Sequence, residues 1–452
     1  MWLLAAVDPG NLLPARQQMA FSLAWHIPIA CLGVGFPLLA VLAEWRGLRT
    51  GDPVYVQLAR RWAKAMGVLF AVGAVSGTVL SFEMGALWPG LMEQYGAVYG
   101  FPFALEGFAF FIEAIFVGIY LYGFDRLSPR AHLLSGIPIV LAGVASVFFV
   151  VTANTFMQTP RGFRLENGKL VDARPWDAMF NPSTPPQTTH MILAAFMVSG
   201  FVVASVYAVA MLRGRRDRYT RVGLLLPLAL GAVVSLPQVV VGDWAAKFVA
   251  GNQPTKLAAM EGVYETRDHV PLTLGGIDVD GELRYGLEIP NGLSLLIGYS
   301  PSTVVRGLNE VPPEDRPPVT ITHLAFDAMV ACGFALLGLS GWFALVWWRR
   351  RAPPRSRLFL GAVAASGLLA VTALEAGWTT TEVGRQPWIV YQQLRTADAV
   401  SAAPHLEYGL YIVLAVYAAL TVATVIVLRV LARQGEGEAV ERPVQAPQEQ
   451  PG

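Results

Sequence analysis

Four residues with metal-binding side chains stand in apolar stretches: His26, His190, Met329 and Glu375. His with Met is a ligand pair of low-spin haem, and the thioether raises the potential. A lone His or Glu leaves a coordination position open, as oxygen chemistry requires. Each also has a plainer use, since a buried Met fills cores and a membrane His can be satisfied by hydrogen bonds. A carboxylate such as Glu375 on an apolar helix costs several kcal/mol to ionise unless something pairs with it. Ten residues on, Arg385 is fenced by Gly384, Pro387 and Trp388. That is a turn with a rigid carboxylate donor and a residue suited to a membrane–water boundary. Glu106 and Glu113 are seven apart, two turns along one helix face. Two membrane carboxylates so placed suggest a proton path; the alternative is that both are neutral and hydrogen-bonded to neighbouring helices. Lys256 and Glu261, five apart in a short helix-like run, read by spacing alone as an ordinary solvated helix.

The elements that must position these residues follow from composition. Of 452 residues, 54% are hydrophobic and only 14% charged, against about a quarter charged in soluble domains. The chain therefore reads as an all-α polytopic membrane protein. Nine spans are predicted, at 17–44, 60–82, 101–122, 133–157, 188–212, 221–241, 322–348, 357–376 and 405–430. Arginines and lysines fall mainly in the loops after spans one, three, five and seven, which makes that side cytoplasmic and the N-terminus external. The 158–187 loop is a mild exception, and the 83–100 loop has no basic residue. In this frame His26, His190, Met329 and Glu375 all occupy the outer half of the membrane. His26 is about 14 Å from the outer end of its span at 1.5 Å per residue.

Residues 243–321 form an external segment too long for a plain connector. The membrane domain is expected over 1–432, and the Glu-, Gln- and Pro-rich tail 433–452 is expected to be disordered. Cys31 and Cys332 lie in apolar segments and read as packing residues, neither disulfide nor zinc site. Residues 1–16 lack a basic n-region, so no cleavable signal is expected. Glu83 reads as interfacial, and His132, His269, His323 and His405, in loops or at span ends, are given no role. The net charge of +1 gives no reason to expect nucleic acid as a partner.

Several ordered pieces then resemble subunit I of the cytochrome bd-type quinol oxidases, of the kind with a short external quinol loop. They are Glu375-Ala-Gly-Trp378, Gly384-Arg-Gln-Pro-Trp388, Glu106-Gly-Phe-Ala-Phe-Phe-Ile-Glu113, Met329-Val-Ala-Cys-Gly-Phe334 and Lys256-Leu-Ala-Ala-Met-Glu261. The likeness covers nearly the whole chain. It implies two four-helix bundles plus one peripheral helix, and three haems near the outer face. These are a low-spin haem b, a high-spin haem b, and a haem d or a further haem b in its place. It implies that His190 and Met329 hold the low-spin haem b. His26 and Glu375 would be axial ligands of the two high-spin haems, with the division between them open. Glu106 and Glu113 resemble the family's carboxylates beside the high-spin haems and on the proton route. Lys256 and Glu261 resemble its quinol-binding pair, against the plain reading of that helix, and Arg385 would counter haem propionates. Asp327 departs from the best-studied branch, which has a basic residue there; a negative charge would lower the low-spin potential or alter propionate contacts.

The resemblance thus implies a terminal oxidase subunit in a bacterial or archaeal cytoplasmic membrane. It would oxidise quinol outside and reduce oxygen to water with cytoplasmic protons, separating charge without a pump. Its partners would be a second large membrane subunit (subunit II), optionally a small single-helix subunit, membrane quinol and oxygen. A proton-coupled transporter using Glu106, Glu113 and Glu375 without cofactor is the rival reading. A membrane cytochrome that passes electrons without touching oxygen is a third. Colour separates the transporter from the oxidase.

Overall fold

The computed structural model describes residues 9–352 and 356–438. In chain order the helices are α1 (Pro9–Thr50), α2 (Pro53–Leu87), α3 (Pro89–Gly123), α4 (Pro129–Gln158), α5 (Pro175–Met179), α6 (Thr184–Leu212) and α7 (Arg218–Asn252). There follow α8 (Pro254–Glu261), α9 (Gly292–Gly298), α10 (Val319–Arg350), α11 (Arg357–Val383), α12 (Thr396–Ala399) and α13 (Leu406–Glu438). Among the described residues, nine helices are long and apolar enough to cross a membrane: α1 to α4, α6, α7, α10, α11 and α13. These are the nine spans the sequence predicts. Asp52, Ser128, Asp217 and Ser356 cap α2, α4, α7 and α11 with side-chain oxygens, so helix starts are set locally.

The ends differ from expectation. The supposed 83–100 loop is helical apart from Trp88, because α2 runs to Leu87 and α3 begins at Pro89. With 35 residues, α3 is about 50 Å long at 1.5 Å per residue, while the hydrocarbon is about 30 Å thick. Hydropathy marks only the part in lipid. Likewise α7 reaches Asn252, so the external segment begins later than residue 243. At the other end α13 runs to Glu438, past the expected tail boundary. The rest of the 433–452 tail lies outside the described residues.

Helices α1 to α4 pack together, α6, α7, α10 and α11 form a second group, and α1 and α4 join the two through α6. The last span, α13, lies along α1 and α2. In lipid, helices gain little from apolar burial and are held by close packing. At the α6–α7 crossing a Cβ on Gly200 would come within 2.6 Å of the Gly231 nitrogen, so only glycine allows that approach.

The external segment is a folded unit. Strands β3 (Leu272–Leu274) and β6 (Leu287–Ile289) pair antiparallel, as do β4 (Ile277–Val279) and β5 (Glu282–Arg284). Two earlier strands, β1 (Arg164–Glu166) and β2 (Lys169–Val171), form a hairpin before α5, and β7 (Trp388–Val390) pairs with β8 (Leu394–Arg395) after α11. Leu257, Val263, Val270, Leu293, Val305 and Leu308 make a small core under the external segment. Gly262 ends α8 in the left-handed region at φ 64°, where a side chain would be strained.

Candidate functional site

The end of the molecule that carries α8 and the short strands is called here the loop end; the other is the arginine-rich end. His26 projects from α1 toward α2, where its Nδ1 lies 2.7 Å from Ser76 Oγ. The Ser76 hydroxyl donates to the Val72 and Gly73 carbonyls, so it accepts from the ring. That leaves the lone pair on Nε2, as for an imidazole held for ligation. Gly77 lies against the same ring, 3.3 Å from Cε1 to where a Cβ would stand.

His190 on α6 meets α7, with Gln238 Nε2 3.1 Å from its Nε2 and Gly242 against its Cε1. Gln238 Oε1 has no partner. Met329 on α10 meets α11, and its Sδ would be 2.8 Å from a Cβ on Gly377. His26, His190 and Met329 each therefore face a glycine on the neighbouring helix, which leaves a slot without side chain beside it. Glu375 on α11 has one buried oxygen, Oε1, without a partner, and Trp378 Nε1 nearby also lacks one. Glu375 lies within electrostatic reach of Cys31, one turn beyond His26 on α1.

Glu106 and Glu113 share one face of α3 against α4. Ser146 Oγ donates to Glu106 at 3.5 Å, and Gly143 lies beside Glu113 Oε1. Two further turns toward the arginine-rich end the same face carries Tyr120, which donates to Glu44 Oε2 at 2.6 Å. His132 completes this cluster, with Nδ1 2.7 Å from Glu44 Oε1. His132 was expected at a span end without a role, and it is buried in a three-helix polar contact instead. Glu83 is likewise not interfacial. It is 4% exposed and accepts from Gln18 and Ser22 of α1. Both corrections have one cause: the partners are distant in sequence and appear only when helices pack.

At the loop end Arg385 is 2% exposed, and its Nη2 bonds Glu382 Oε2 at 2.5 Å. Its Nη1 has no partner. Asn154 donates to the other oxygen of Glu382, and Gln158 donates to Asn154 Oδ1 at 3.2 Å. Gln158 Oε1 in turn accepts from Lys256 Nζ and, at 3.0 Å, from Gln253 Nε2. A continuous chain of hydrogen bonds, buried except at the half-buried Glu382, thus runs from Arg385 through Glu382, Asn154 and Gln158 to Lys256. The sequence reading gave Glu382, Asn154 and Gln158 no role. The signal was present in Asn154 and Gln158, two amides one turn apart at the end of an apolar helix. Arg16 adds a second guanidinium, donating to Gln386 Oε1 at 2.6 Å while its Nε has no partner.

Lys256 and Glu261 are both buried, so the solvated-helix reading fails for α8. Burial, and then the Arg385 charge, hold the Lys256 amine well below its ordinary range, partly offset by Glu382. Burial, and then Asp327, push the Glu261 carboxyl up to about 8. Beside α8 a pocket of about 250 Å³ is lined by Thr255, Glu310, Asp315, Arg385, Trp388 and Tyr391, among others.

A haem needs axial donors, a slot for a flat ring and cations for its propionates. His26 and His190 rings and the Met329 thioether are donors, the three glycines open slots, and Arg385 and Arg16 hold unused donor atoms. The residues present fit such a group.

The family model described as cytochrome bd terminal oxidase subunit I matches residues 14–436. A solved structure, the bd oxidase from Geobacillus thermodenitrificans, is similar at TM-score 0.88 and 39% identity, covering 95% of this chain and 100% of that one. A Bacillus subtilis (strain 168) relative, provisionally named as a cytochrome bd menaquinol oxidase subunit I, is 38% identical over 92% of this chain and 96% of its own. The cytochrome bd-II ubiquinol oxidase subunit 1 of Escherichia coli (strain K12) is 26% identical over 93% of this chain and 96% of its own.

Proposed function

The chain belongs to the cytochrome bd terminal oxidase subunit I family, and from that premise we propose that it is the haem-carrying subunit of a quinol:oxygen oxidoreductase. His190 and Met329 would hold a low-spin haem b. His26 and a carboxylate of α11 would serve the two high-spin haems, one b and one d or a further b. Glu375 is the first candidate carboxylate because one of its oxygens has no partner. Glu382 is the second, seven residues on along the same helix face, with Asn154 and Arg385 fixing its carboxylate. Bound haem would supply one-electron transfer and, at an open coordination position, oxygen reduction.

The chain's own residues have separate tasks. Ser76 keeps His26 in the tautomer with a free Nε2 lone pair. Arg385 and Arg16 would neutralise propionates with donors that have no protein partner. Lys256, its amine held well below its ordinary range by burial, lies next to Gln158 and would hydrogen-bond a quinol oxygen. Glu261, with its carboxyl near 8, would accept a quinol proton and release it on the external side. Glu113 and Glu106 would pass protons from the arginine-rich side, taken as cytoplasmic by the distribution of basic residues. The N-terminus then lies outside, and the membrane is the cytoplasmic membrane. Subunit II is the expected partner, with a small single-helix subunit as a further one.

The observation that carries this reading is the hydrogen-bonded chain from Lys256 to Arg385. It joins the quinol candidate to the haem-propionate candidate through only three side chains. The family match does not favour a proton-coupled transporter. The test is a pyridine haemochrome spectrum of the purified protein together with quinol-dependent oxygen uptake. Colourless protein with no uptake would rule the proposal out.

A further inference from the structure

His323 stands one helical turn before Asp327 on α10 and is fully buried. Its Nδ1 lies 2.7 Å from the carbonyl oxygen of Met260, and its Nε2 lies 2.8 Å from the carbonyl oxygen of Gly275. A carbonyl oxygen only accepts, so each ring nitrogen has to donate. Neutral imidazole has one N–H and satisfies one of these carbonyls; imidazolium satisfies both. Asp327 supplies the counter-charge, with Oδ2 3.5 Å from Nε2. The same oxygen accepts from the Gly275 N–H at 2.5 Å. One residue of the external segment is therefore gripped at both its N–H and its C=O by an i, i+4 pair. Gly275 and Gly276, at φ 68° and 107°, make the turn that presents both groups. The other bond lands on Met260, the residue before Glu261 at the end of α8.

We propose that His323 is a positioning residue for quinol oxidation: as an imidazolium paired with Asp327, it fastens the end of α8 and the 274–277 turn to α10. The functional half of this inference rests on the reading of α8 as the quinol site. The charged groups around it are Asp327 on its own helix, Glu261 on α8, Asp278 beyond the turn, and Arg385 with Glu382 after and on α11. Arg385 and Glu382 form an ion pair with each other, and Asp327 is the ion-pair partner of His323 among the described residues. Loss of the ring proton removes one of the two carbonyl bonds. The fastening is thus complete only when both ring nitrogens donate. His323→Gln, which cannot donate to two carbonyls in these directions, should lack the fastening.

The test is amide hydrogen exchange of the haem-loaded oxidase at one pH, read on peptides spanning 272–289 in wild type, His323→Gln and Asp327→Asn. Both variants should show protection about tenfold below wild type, the size of one lost charge-assisted bond. Quinol KM, measured in parallel, should rise by a similar factor in both variants while kcat stays near wild type. Lower protection that KM does not follow would keep the fastening and reject α8 as the quinol site. Wild-type protection in both variants would overturn the inference. If His323→Gln loses its haems, Asp327→Asn decides.

Discussion

Met329 and His190 each meet a glycine on the neighbouring helix. Gly377 and Gly242 leave an open strip of backbone where most helix contacts have a side chain. Replacing Met329 with Leu, or His190 with Ala, should abolish the low-spin haem signal or convert it to high-spin while the other haems stay. An unchanged low-spin spectrum in both variants would refute the pairing. Gly242→Val should lower the same signal by filling the slot beside His190, even though no ligand is touched; full occupancy would show that the slot is not used. The α11 carboxylates can be separated in the same way. Glu375→Ala and Glu382→Ala should differ in which of them loses a high-spin haem on purification. Retention of every haem in Glu375→Ala would transfer the ligand role to Glu382. Glu113→Gln should keep all haems and slow the proton-consuming steps of oxygen reduction. Equal haem loss in Glu113→Gln and in the α11 variants would make Glu113 a structural residue.

At the scale of elements, α4 carries more of the site than its hydropathy suggests. Its last turns hold Asn154 and Gln158, which bridge Glu382 to Lys256. Gln158→Leu would leave the Lys256 amine buried without its acceptor, a cost of about 1–3 kcal/mol for an orphaned polar group. Quinol turnover should fall about tenfold with haem content unchanged; unaltered turnover would show that the bridge is only packing. The nine spans were legible because runs of apolar residues of membrane length are a strong local signal. Their ends were not, since α3 begins at Pro89 and is helical through residues 89–100, where hydropathy is ordinary. The candidate residues were legible as residue types on membrane helices. The polar partners were not, because Glu44 finds His132, and Met260 finds His323, only after helices distant in sequence pack. Glu83 was misread for the same reason, its partners Gln18 and Ser22 lying on a different helix.

The whole molecule has two ends with different chemistry. The loop end gathers Arg16, Arg385, Lys256 and Glu261, while the other end carries arginines such as Arg349 and Arg350. Glu261 should give quinol oxidation an ascending pH limb. With its carboxyl near 8, it is mostly protonated below that value and becomes a proton acceptor above it, so kcat should rise with pH through about 8. Glu261→Gln should remove that limb and lower quinol turnover, while carbon monoxide still binds the dithionite-reduced enzyme; a preserved limb would assign it to another group. The central claim is that one chain joins quinol, haem and oxygen. Its most direct test is the optical spectrum of the purified oxidase, recorded anaerobically, after quinol is added, and again after oxygen is admitted. The account predicts haem bands that appear in reduced form with quinol and return to the oxidised form with oxygen. Absence of haem bands, or bands that stay reduced when oxygen enters, would contradict it.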